Sequence, residues 1–128
     1  MQTTFTDAQL RHYQEQGFVV VPDLLSAEEV GNFLSQDEAY GDERPAGLQN
    51  HQTKASYASI ARHKGIVGRV GQLVGGRPRI VQTMYMAKAP AGGTGVALHQ
   101  DTHYIRNEPN TLMACWVALS QTGPDNGG

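Results

Sequence analysis

A histidine and an aspartate two residues apart, His99 and Asp101, follow the apolar run Val96 to Leu98 in the stretch GVALHQDTHYIRN, and His103 repeats the interval. Side chains at i and i+2 of a strand project from one face with Cα atoms roughly 6.5–7 Å apart, so an imidazole and a carboxylate so spaced can converge on one ion. His103 would lie roughly 13 Å from His99 along that strand, and three-point convergence would need a sharp bend, so it is a poor third ligand. One neutral nitrogen and one anionic oxygen suit a divalent first-row metal. A second histidine would complete the 2-His-1-carboxylate set of non-haem Fe(II) oxygenases, which leaves coordination positions open to co-substrate and oxygen. The same residues on a solvated surface strand would hold no metal, and the spacing by itself leaves both readings open. His12, His51 and His63 have no carboxylate at strand spacing and read as ordinary surface residues.

The segments that must position this pair fall into two textures. Thr6 and Gln9 form a capping-box pair with Phe5 and Leu10 as a staple, and Gly17 supplies the stop. Ser26 with Glu29, and Leu25 with Val30, repeat the pattern for a second helix. Between them the β-branched run closed by Pro22 reads as a short strand. Residues 37 to 53 are polar and aperiodic, a loop. Residues 55 to 74 return to a helical pattern interrupted by glycine, with Ile60, Val67, Val70 and Leu73 as the expected buried set and Gly75-Gly76 as the end. After Pro78 come three expected strands, RIVQTMYMAK, VALHQD and TLMACWVALS, the first two joined by a glycine-rich turn and the last two by the loop Arg106 to Asn110. An N-terminal helical half followed by antiparallel strands is predicted.

Composition narrows the function classes. At 128 residues the chain has the size of one domain. Ten basic against 12 acidic residues, with no Lys/Arg cluster, argue against a nucleic-acid or membrane partner. No leader pattern or long apolar run is present, so a cytoplasmic location is expected. The single cysteine, Cys115, sits among apolar neighbours and reads as a buried thiol without a catalytic role.

The order of these features is more specific than any one of them. A capped helix ending in Gly17-Phe18-Val19-Val20-Val21-Pro22, a second capped helix, a strand with Gln82, a glycine-rich turn, Leu98-His99-Gln100-Asp101, then Cys115-Trp116-Val117-Ala118-Leu119 and finally Asp125-Asn126-Gly127 resembles the phytanoyl-CoA dioxygenase family over nearly the whole chain. The resemblance implies a mainly β fold with N-terminal helices, a double-stranded β-helix of the jelly-roll or cupin-like kind. It implies Fe(II) as metal, 2-oxoglutarate and O2 as co-substrates, and hydroxylation of a small organic substrate as the activity. On it, His99 and Asp101 are the first two iron ligands, and no catalytic residue is assigned beyond the metal ligands. Gln82 and Trp116 match positions against 2-oxoglutarate, with an outward-facing strand residue and core packing as their respective alternatives. Lys88 is similar to a frequent family lysine, or is a solvated strand end. Thr102, His103 and Tyr104 fall on the substrate side of the metal or in a plain polar loop. Related halogenating enzymes lack the carboxylate, so Asp101 argues for oxygenation.

Two expected features have no match in the 128 residues: the second iron histidine, and the arginine that pairs with the distal carboxylate of 2-oxoglutarate. The expectation is therefore a single domain over 1–128 that is the N-terminal part of a longer oxygenase, a partial double-stranded β-helix with its C-terminal strands missing, binding iron weakly by itself. Pairing of two chains would be another route to a complete site. The competing functions are a cupin-like metal protein that does not use 2-oxoglutarate, and a non-catalytic assembly module in which His99 and Asp101 are relics.

Overall fold

The computed structural model describes residues 2–39, 47–85 and 95–126, and the chain divides into two compact units, Met1–Met86 and Ala87–Gly128. In the first, helix α1 (Asp7–Gln16) begins at a reciprocal cap: Gln9 N–H donates to Thr6 Oγ1 at 3.3 Å and Thr6 N–H donates to Gln9 Oε1 at 3.0 Å. It ends at Gly17, whose left-handed φ of 80° lets its N–H reach the Tyr13 carbonyl. Helix α2 (Ala27–Glu38) starts from the same device, with Glu29 N–H to Ser26 Oγ at 3.2 Å and Ser26 N–H to Glu29 Oε2 at 2.8 Å. Both caps are local chemistry, and both are where the sequence predicts them.

The helical pattern over 55–74 resolves into two helices, α3 (Ala55–Ala61) and α4 (Lys64–Val74), broken at Arg62-His63. The glycines of α4 make room for other segments. A methyl group at Gly68 would overlap the Thr3 carbonyl oxygen, and one at Gly65 would lie 2.7 Å from Leu24 Cδ1. The N-terminal segment is held on α4 by a two-way bond, Phe5 N–H to Gln72 Oε1 at 2.7 Å and Gln72 Nε2 to the Phe5 carbonyl at 3.2 Å. The Arg69 guanidinium lies 5.6 Å from the centre of the buried Phe5 ring.

Strands β1 (Gly47–Leu48) and β2 (Met84–Tyr85) form an antiparallel pair in the register Gly47 to Tyr85 and Leu48 to Met84. Beyond it, Gln49 N–H donates to the Thr83 carbonyl and Gln49 Nε2 to the Val81 carbonyl. Phe33 of α2, Tyr57 of α3 and Tyr85 of β2 meet edge to face, with centroids 5.1 and 6.4 Å apart, and the Tyr57 hydroxyl donates to buried Asp37. Phe5, Phe33 and Tyr57 are the buried hydrophobic side chains among the described residues. The expected set differs: Ile60, Val70 and Leu73 are only half-buried and Val67 is exposed.

The predicted mainly β architecture is overturned. The described chain is 44% helical and 4% strand, so no double-stranded β-helix or jelly roll, partial or otherwise, is formed among the described residues. The segment Phe18 to Val21, the run 95–100 and the run 111–119 are extended or irregular without ladder partners. Alternating apolar residues fit a strand, but a strand exists only where a neighbour takes its N–H and C=O groups. Among the described residues that pairing is confined to β1 and β2. No helix among the described residues is long and apolar enough to cross a membrane.

Substitutions at two glycines should have opposite effects on stability. Gly31 lies in exposed α2 with open space around it, so Gly31→Ala should stabilise by about 0.5–1 kcal/mol. Gly68→Ala, forced against the Thr3 backbone, should destabilise by roughly 1–3 kcal/mol; urea melts monitored by far-UV circular dichroism separate the two signs. The Ser26 N–H and hydroxyl, and then His63, hold the Glu29 carboxyl below its ordinary value of 4.5. Its contribution is complete above about that pH and is lost as pH falls through the lower folded-state value, so Glu29→Gln should flatten this acid limb of the melting temperature.

Candidate metal centre

Short-range bonds shape the part of the second unit that carries the predicted pair. Residues 95 to 100 run extended, and Gln100 keeps β-region angles of φ −103° and ψ 131°. The chain then tightens into a 3-10 turn at Asp101–His103. His103 N–H donates to the Gln100 carbonyl at 2.9 Å, while Tyr104 and Ile105 N–H both donate to the Asp101 carbonyl, at 3.0 and 2.9 Å. With one extended residue between them, the side chains of His99 and Asp101 converge: His99 Nε2 is 3.4 Å from Asp101 Oδ1. An extended segment entering a turn thus carries the pair in place of the expected strand.

The electrostatics of the pair are specific. His99 Nδ1 lies 2.7 Å from the Ala97 carbonyl, which can only accept, so Nδ1 must carry the proton. In a neutral ring this leaves the Nε2 lone pair facing the Asp101 carboxylate, acceptor against acceptor. A proton or a metal cation between them removes that conflict, and a ligating histidine with its other nitrogen bonded to a backbone carbonyl is the usual support for a metal. The donor set of one imidazole nitrogen and one carboxylate oxygen fits ferrous ion as far as it goes. It is two donors, because no group of three His, Cys, Asp or Glu side chains able to hold a metal occurs among the described residues.

The other predicted positions are spread over both units. Tyr104 meets the His99 ring edge to face at 5.3 Å and the His103 ring at 4.9 Å, so His103 is engaged with Tyr104 and stands outside the pair. Gln82 is half-buried in the first unit, between the two carbonyls that Gln49 contacts. Trp116 is 75% exposed, so packing in a core does not account for it. Cys115 is likewise exposed, contrary to the expected buried thiol, although partial burial of its sulfur pushes the thiol up. Lys88 lies outside the described residues. Two histidines that the sequence presents as surface residues are enclosed: His51 is buried and bonds Thr83 Oγ1 through Nδ1 and through its backbone N–H, and His63 Nε2 pairs with Glu29 at 3.2 Å. The loop Arg106 to Asn110, in sequence a plain connection, lines an open depression together with Thr102.

Comparisons with known proteins bear on this arrangement. Residues 13–128 match the family model described as phytanoyl-CoA dioxygenase (PhyH). A methylphosphonate hydroxylase from Gimesia maris is 28% identical over 99% of this chain and 55% of its own length. Phytanoyl-CoA dioxygenase 1 from Oryza sativa is 21% identical over 97% of this chain and 62% of its own. An ectoine dioxygenase from Streptomyces avermitilis is 27% identical over 96% of this chain and 49% of its own. The chain thus spans about half the length of the curated relatives it matches. No solved structure matches it at a significant level.

If the pair holds a cation, His99→Ala and Asp101→Ala should each weaken Co(II) binding by about tenfold or more, and His103→Ala should leave it nearly unchanged. Isothermal titration calorimetry reads this directly. Equal affinities across the four proteins would remove the pair from metal binding.

Proposed function

The chain belongs to the phytanoyl-CoA dioxygenase family, and from that premise we propose that it forms part of an Fe(II)- and 2-oxoglutarate-dependent oxygenase hydroxylating a small organic substrate. Dioxygenases and a hydroxylase are what its relatives are named. The observation that carries the proposal for this chain is the convergence of His99 Nε2 and Asp101 Oδ1 within the matched segment, with His99 Nδ1 already committed to the Ala97 carbonyl.

In this reading His99 and Asp101 hold ferrous ion, the Ala97 carbonyl fixes the histidine tautomer, and Tyr104 meets the ring in a T-shaped contact. When bound, the metal with 2-oxoglutarate and O2 supplies the oxidising power for substrate hydroxylation. Gln82 and Trp116 are proposed to lie against 2-oxoglutarate. The second nitrogen donor and the arginine for the distal carboxylate come from outside the described residues. The matched chain acts as a single domain in a cytoplasmic enzyme with a small-molecule substrate. The 128 residues in isolation bind metal weakly and turn over little 2-oxoglutarate.

Anaerobic titration of the chain with Fe(II) and 2-oxoglutarate tests the reading. The expected result is a weak visible absorption from 2-oxoglutarate chelating the ferrous ion, present in the parent chain and lost in His99→Ala and Asp101→Ala. Metal binding that depends on both residues but gives no such band would favour a metal protein that does not use 2-oxoglutarate, and no dependence on either would leave a non-catalytic module. Stoichiometric 2-oxoglutarate-dependent CO2 release by the 128 residues would overturn the statement that they are nearly inactive alone.

A further inference from the structure

Beyond the metal pair, the second unit carries an open depression of about 580 Å3 lined by Thr102, Arg106, Asn107, Glu108 and Asn110. Each of these side chains is polar or charged. The turn that brings His99 to Asp101 also builds this surface: the Ile105 N–H bond to the Asp101 carbonyl closes one turn of chain, so Thr102 and Arg106, four residues apart, come to line the same hollow. Within the loop that lines it, the Pro109 carbonyl accepts from Asn107 Nδ2 at 2.8 Å, Thr111 N–H at 2.8 Å and Thr111 Oγ1 at 3.4 Å. Glu108 and Asn110 flank Pro109 in the chain.

The charges in the hollow are complementary to each other but not paired. Arg106 and Glu108 both line it, and neither side chain makes an ion pair or hydrogen bond among the described residues. A guanidinium and a carboxylate left unpaired and exposed in one open depression can each be matched by an opposite charge on a ligand. We infer that this depression is the substrate-recognition surface of the second unit and takes a small zwitterion, its anionic group on the Arg106 guanidinium and its cationic nitrogen on the Glu108 carboxylate, with Thr102, Asn107 and Asn110 supplying hydrogen bonds. Its role as a substrate surface rests on the oxygenase reading; its ligand chemistry does not.

The test uses three matched small molecules on the metal-free chain: β-alanine, which carries both charges, propionate, which carries only the anion, and ethylamine, which carries only the cation. Chemical shifts of the Asn107 and Asn110 side-chain amides are monitored by NMR. β-Alanine should bind about tenfold more tightly than either single-charge probe. Glu108→Gln should lower its affinity to that of propionate, and Arg106→Gln to that of ethylamine, a pair of selective losses that misfolding would not produce. Equal affinities for the three probes, or β-alanine binding untouched by both substitutions, would overturn the inference. Because no metal is present, β-alanine binding is read independently of the metal pair. A failure of the oxygenase reading therefore shows in the iron titration and a failure of the recognition surface shows here.

Discussion

The arrangement of the second unit depends on one constraint: His99 cannot offer Nδ1 to anything but the Ala97 carbonyl, so its other nitrogen is aimed at a carboxylate. The side chains of the pair are 33% and 48% exposed. Even with the imidazole charged, a pair that open to water contributes about 0–1 kcal/mol, too little to explain why the chain is bent to form it. As a stability device it is negligible. What the pair does have is a shared direction and a histidine whose tautomer is set by a backbone carbonyl, which is what the proposed metal site would require of it.

The two units differ in what holds them. In the first, bonds connect residues far apart in sequence, as between Phe5 and Gln72, His51 and Thr83, or Tyr57 and Asp37. In the second, the hydrogen bonds around the pair and in the loop that follows join residues two to four positions apart, and large apolar side chains stay exposed, including Val96, Leu98 and Trp116. Local turns can place neighbouring donors, but they add little resistance to opening. A cation bound by His99 and Asp101 would stabilise the ordered turn in proportion to its affinity, so metal binding and local order in this unit are linked quantities.

What is legible in the sequence divides along the same line between local and distant. Both capping boxes, the Gly17 stop and the helix end at Gly75 depend on residues within a turn of each other, and the sequence states them. The strands depend on partners elsewhere, and the periodicity of residues 95–100 and 111–119 says nothing about whether a partner is present. Glycine in α4 reads as interruption, while its physical reason is the approach of Thr3 and Leu24, which no local pattern announces. The enclosure of His51 and His63 is hidden for the same cause, since Thr83 and Glu29 reach them from other segments. The loop Arg106 to Asn110 looks featureless in sequence because its order comes from a carbonyl, a group that every residue carries and no sequence pattern marks.

The convergence of His99 and Asp101 shows why a spacing argument can outlive the element it was built on. Two side chains separated by one residue share a side whenever the residue between them is extended, because its φ and ψ set their relative direction. Gln100 is extended, at φ −103° and ψ 131°. The chain beyond Asp101 is then free to turn. A ladder is one way to keep such a residue extended, and here the Ala97 carbonyl on one side and the Asp101 turn on the other do so without it. The minimum support for an H-x-D donor pair is therefore a single extended peptide between two anchored ends, and a β-sheet supplies that support without being required for it.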